Sequence, residues 1–137
     1  MRKMPQSNGR TWYLQDWTTV KSTFQSVALP VEGWADVGSF EHVFVFVEVR
    51  AMAATNCSPE LVIESCHTLP GFPEPPDWFV PIGQVDAVGT TSFRAFRERP
   101  NSTSGTELAK YLRWRIDAPM TGPGEWMACF RIWVNAQ

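Results

Sequence analysis

Apolar and polar residues alternate with a period of two along much of this chain. Within residues 40–52, Val43, Val45, Val47 and Val49 fall on one face, and His42, Phe44, Phe46, Glu48 and Arg50 fall on the other. Successive side chains of a strand point to opposite sides, so this pattern predicts a strand. Its middle is apolar on both faces, as in the centre of a sheet. Residues 111–116 alternate in the same way. After a break at Met120-Thr121-Gly122-Pro123-Gly124, the residues Trp126, Ala128, Phe130, Ile132 and Val134 recur at every second position. The stretch 111–134 therefore reads as two strands around one turn.

Further strands are predicted at residues 12–20, 24–29, 61–67, 78–85 and 91–99, while residues 34–37 are too short to assign. Pro30 and Glu32-Gly33 punctuate the early chain. Residues 69–81 hold Pro70, Pro73, Pro75, Pro76 and Pro81, and read as a long rigid connection because proline cannot donate to a ladder. No stretch shows a convincing helical period. About eight strands spaced by turn signals predict an all-β fold, a single-domain antiparallel β-sandwich with jelly-roll-like connections over residues 11–137. The polar residues 1–10 are expected to form an extended N-terminal arm.

Composition sharpens this picture. A chain of 137 residues is one domain and can bury a sizeable core without staples. Its seven Trp and nine Phe suit strands and supply large buried areas. The net charge of −2 argues against nucleic acid, which calls for a basic stripe. Arg94, Arg97 and Arg99 form only a local group beside Pro100, and read as solvated positions. No apolar run is long enough to cross a bilayer, so no membrane partner is expected. The basic N-terminus lacks the apolar segment of a signal peptide, and synthesis in the cytoplasm is the expectation. Three Cys without a Cys-x-x-Cys spacing predict no disulfide framework.

Catalytic patterns are missing from the sequence. There is no phosphate-binding glycine motif and no Gly-x-Ser-x-Gly elbow. Cys66 and His67 are adjacent on a predicted strand and therefore point apart, which disfavours a nucleophile–base pair. Cys57, Cys66, His67 and Cys129 lack the paired spacing of a zinc site. Asp77 and Asp86 lie in loops without a calcium motif. A non-enzymatic protein with no cofactor and no metal is expected.

The aromatic residues carry the remaining signal. Trp114, Trp126, Phe130, Val45 and Val47 are predicted to be core. Arg113, Arg115, Arg131 and Trp133 alternate with them and are predicted to point outward. Trp and Arg concentrate in protein-interface hot spots. Together with Trp12 and Trp17, placed near the arm, these four form the expected contact face. The alternative is a carbohydrate-binding module with Trp34, Trp78 and Trp133 as stacking platforms.

Four segments in order carry a resemblance: Leu61-Val62-Ile63-Glu64-Ser65, Asp77-Trp78-Phe79, Tyr111-Leu112-Arg113-Trp114-Arg115-Ile116 and Phe130-Arg131-Ile132-Trp133-Val134. Their succession is similar to that in small β-sandwich virion proteins of tailed bacteriophages, over roughly residues 40–134. The outline also resembles galactose-binding-like and discoidin-like modules. The proline-rich stretch departs from the phage pattern. The resemblance implies a virion component, such as a head decoration or accessory structural protein. Its partners would be neighbouring capsid or accessory subunits, or further copies of itself in a homo-oligomer.

Overall fold

The valine row of residues 43–49 becomes the spine of a two-layer sandwich. The structure is a computed structural model that describes residues 9–67, 79–97 and 106–137. Most of the arm, most of the proline-rich stretch including Trp78, and the polar turn with Arg99 lie outside the described residues.

The strands are β1 (Arg10–Ser22), β2 (Ser26–Ala28), β3 (Ala35–Asp36), β4 (His42–Cys57), β5 (Glu60–Cys66), β6 (Val80–Val85), β7 (Gly89–Phe96), β8 (Thr106–Glu107), β9 (Tyr111–Asp117) and β10 (Met120–Ala136). Among the described residues one 3-10 turn covers Val31–Gly33. One sheet has the order β1-β10-β4-β7-β8; the other has β2-β9-β5-β6, with β3 also pairing to β9. All pairings are antiparallel except the two-residue β7–β8 contact. Setting aside the two-residue β3 and β8, the other strands follow jelly-roll connectivity. First, last, third and sixth form one sheet; second, seventh, fourth and fifth form the other.

Both inner faces meet in one core. Val43, Val45, Val47, Phe130, Ile132 and Val134 from one sheet pack against Leu61, Ile63, Leu112, Trp114 and Ile116 from the other, all buried. Trp114 meets Phe130 edge-on, with ring centroids 5.0 Å apart. Buried indoles need partners for their N–H groups. Trp114 Nε1 donates to Gln15 Oε1 at 3.0 Å across the sandwich, and Trp126 Nε1 donates to the Phe24 carbonyl at 2.8 Å. Gly83 lets the two layers close at β6. A Cβ there would lie 2.1 Å from the Phe93 ring of β7, so only glycine admits that ring without displacement.

Two expectations are corrected. The break at 120–124 is not the turn between the last strands. The chain leaves β9 at Ala118-Pro119, and Met120 already pairs with Cys57 of β4. The glycine segment is instead an irregularity in the β10–β4 ladder, between the Met120 and Glu125 pairs. Asn56 supports it from a positive φ of 59° and donates from Nδ2 to the Pro123 carbonyl at 3.0 Å. Strands β9 and β10 consequently belong to different sheets. At the other end of the chain, Arg10, assigned to the arm, already pairs with Ala136 within β1.

Candidate interaction face on the five-stranded sheet

Because the β4 valines and Phe130, Ile132 and Val134 turn inward, the residues between them turn out. In register across the outer face stand Tyr13, Trp133, Phe46 and Ser92, and beside them Arg131, Glu48 and Thr90. Asn135, Phe44 and Arg94 form the next row, then His42 and Phe96. An antiparallel sheet with a solvated face usually presents polar residues there. This one presents aromatics.

The rings contact one another in sequence. Trp133 stacks on Phe46 with centroids 4.0 Å apart and planes 12° from parallel. Phe46 neighbours Phe44 at 6.3 Å, and Arg94 lies 4.9 Å above the Phe44 ring. His42 stacks on Phe96 at 4.4 Å and meets Phe44 edge-on at 4.3 Å. On the β1 side, Trp17 has the guanidinium of Arg50 4.0 Å from its ring and that of Arg131 at 4.8 Å. Arg131 also donates to Glu48 Oε2 from Nη2 at 2.5 Å and from Nε at 3.1 Å, and to the Tyr13 hydroxyl at 3.4 Å. The Glu48 hydrogen bond chiefly raises the pKa of Arg131 and keeps it charged. Beyond this cluster the outer face continues through Cys129, Ala51, Met127 and Ala53. Tyr13 is half exposed, and the other rings of the band are partly exposed. The described residues form only two layers, so no third layer of theirs covers this face.

His42 is the titrating element of the band. Burial, and secondarily the nearby Arg94, lower its pKa from the usual 6.5, and its Nε2 is buried with no hydrogen-bond partner among the described residues. A base whose folded pKa is lowered stabilises the fold above its unfolded pKa; that contribution is lost as the pH falls below 6.5 and through the folded pKa. The urea midpoint is thus expected to fall as the pH is lowered from the neutral range. His42→Phe should remove that part of the pH dependence; an unchanged profile would sink the assignment.

The outer face of the other sheet is built differently. Glu64 of β5 is 1% exposed. Its Oε1 accepts from Arg113 Nε at 2.7 Å and Arg115 Nε at 3.1 Å, and Arg115 also pairs with Asp117 at 2.6 Å. The Arg113 guanidinium lies 3.7 Å from the Phe79 ring and 5.3 Å from Trp34. Trp34 donates its indole N–H to the Leu29 carbonyl at 2.8 Å and meets Phe79 edge-on.

The expected contact residues therefore separate. Trp17, Arg131 and Trp133 come together on the five-stranded sheet. Arg113 and Arg115 lie on the opposite outer face, because β9 joined the other sheet, and their charges are engaged by Glu64. Trp12 pairs in register with Val134, packs against the core, and sits 6.2 Å from Phe40. Of the sugar-stacking candidates, Trp133 has one ring face covered by Phe46, Trp34 is partly buried with Phe79 edge-on and Arg113 near its ring, and Trp78 lies outside the described residues. Sequence reasoning missed Tyr13, Phe44, Phe46, Arg50 and Phe96. For Phe44 and Phe46 the signal was present: apolar character on both sides of residues 42–47 was taken for a strand covered on both faces. Among the described residues, no three His, Cys, Asp or Glu side chains are placed to hold a metal ion. No protein-family model, curated protein or solved structure matches the chain.

Proposed function

We propose that this chain is a non-enzymatic structural or assembly protein, a virion component of the tailed-phage type. It docks on neighbouring capsid or accessory subunits through the outer face of its β1-β10-β4-β7 sheet. The observation that carries this reading is the aromatic and arginine band of Tyr13, Trp17, Phe46, Arg131 and Trp133, on a face that no other described element covers. Contiguous apolar surface of this kind marks interaction sites. Trp, Tyr and Arg are the residue types that dominate interface energetics.

The fold agrees by analogy alone, since jelly rolls build both viral capsid proteins and lectins. A carbohydrate reading has less support, because a stacking platform needs a free ring face. Trp17 has a guanidinium near its ring from two arginines, and Trp133 is stacked on Phe46. Arg131, Glu48 and Tyr13 are engaged with one another.

The test is incorporation into particles formed in cells that make the chain with its neighbouring structural proteins. Trp17→Ala combined with Trp133→Ala is expected to lower the chain's content in purified particles by about tenfold or more, the loss of two partial anchors. Far-ultraviolet circular dichroism should stay unchanged. Full incorporation of the folded variant would refute the proposal.

A further inference from the structure

A second surface lies where the C-terminal ends of β1 and β4 meet the start of β10. Phe24 is 72% exposed, more than any other large hydrophobic residue among the described residues. Its backbone is nevertheless held on both sides: its N–H donates to Ser22 Oγ at 2.9 Å, and its carbonyl accepts from Trp126 Nε1 at 2.8 Å. The side chain is thus presented from a fixed turn. Presentation without an ordering cost is what favours an anchor residue.

Phe24 itself walls one side of a cleft of about 650 Å³, which is also lined by Ala53, Ala54 and Met127 and flanked by Lys21 and Glu125. Ala53, in register with Met127 and Lys21 on the outer side of the sheet, is exposed and carries no side chain beyond Cβ, so it leaves room above the strand. Lys21 and Glu125 are both exposed, and neither forms an ion pair among the described residues.

Knob, hole, one cation and one anion therefore share a single patch. That is the composition a two-fold interface demands, since each surface must complement its own copy. We infer that this end of the sandwich is a homodimer interface. Phe24 of each copy enters the cleft of the other, and Lys21 of each copy faces the other's Glu125. The charge complementarity is internal to the patch, which favours a second copy over an unrelated partner. The inference does not rest on the sheet-face reading, although Met127 and Ala53 continue the outer face of the same sheet.

Sedimentation equilibrium of the full chain tests it. The wild type is expected to dimerise. Phe24→Ala should raise the dissociation constant about thirtyfold or more, the effect of losing an anchor. Because Phe24 is so exposed, the unfolding midpoint of the monomer should hardly move. Lys21→Glu and Glu125→Lys should each weaken the dimer, by placing like charges opposite one another at both symmetry-related positions. The double variant should recover affinity, because the pairs re-form with signs exchanged. That recovery distinguishes a two-fold contact from simple loss of a surface charge, and it is readable even if Phe24→Ala folds poorly. A wild-type monomer throughout, a dimer indifferent to Phe24→Ala, or a double variant no better than the singles would overturn the inference. A dimer lost through Trp17→Ala yet untouched by Phe24→Ala would also overturn it, and would assign self-association to the sheet face.

Discussion

Glu64→Ala is expected to destabilise the fold by about 2–3 kcal/mol, although Glu64 sits on the outer side of its strand. The carboxylate is 1% exposed and accepts from two guanidinium groups. Removing one partner of a buried ion pair costs about 3–5 kcal/mol, because the remaining charge loses its compensation. Here the remaining partners are less buried: the Arg113 and Arg115 side chains keep 17% and 23% exposure, so water screens part of the loss. Arg115 also retains Asp117, and Arg113 retains the Phe79 ring. These compensations place the estimate at or below the lower end of that range. Glu64→Gln, which keeps one acceptor oxygen, should cost less than Glu64→Ala. Urea denaturation of the three proteins measures this. A Glu64→Ala loss no greater than that of an exposed pair would show that the two arginines are held by something else. The result also bears on function, since arginines locked to a buried carboxylate are poor candidates for a partner's contact face.

The parts of this molecule that were legible in the sequence are those set by neighbouring residues. Alternation along β4 and β10 correctly assigned Val45, Val47, Trp126 and Phe130 to the core, because the pleat fixes side-chain direction residue by residue. Trp12 and Trp17 are an odd number of residues apart, so parity alone separates them. Two register shifts lie between them in β1 and cancel, leaving Trp12 inward and Trp17 outward. What alternation does not contain is the sheet a strand will join. Strands β9 and β10 are adjacent in sequence but lie in different layers, and that choice depends on pairing partners as distant as β5 and β4. The predicted contact face failed to assemble as one surface for this reason. Segment 120–124 was opaque for a similar reason. Glycine and proline signal an irregularity, yet whether it is a turn or a bulge depends on Asn56 across the ladder. The aromatic band could be read residue by residue, but not as an uncovered face, because coverage is decided by the layer count.

Phe130→Ala should be the most damaging single truncation, at about 3–5 kcal/mol, a large part of the stability of a typical domain. The ring is fully buried between the layers, packed edge-on against Trp114, and it follows directly on the register shift that separates the Cys129 and Phe130 pairs. A cavity there cannot be filled by water without polar partners, and both sheets already hold the surrounding side chains in place. Trp133→Ala is the informative comparison. Trp133 is a larger side chain on the same strand, yet it stands on the outer face with its ring partly exposed. If that face is kept apolar for a partner, its truncation should cost the isolated chain less than half of what Phe130→Ala costs. The rest of its energetic role would then appear only on binding. Denaturant midpoints of the two variants decide this. Equal losses would mean that the outer aromatics serve the fold as the core does, and the reason for reading them as a docking surface would be gone.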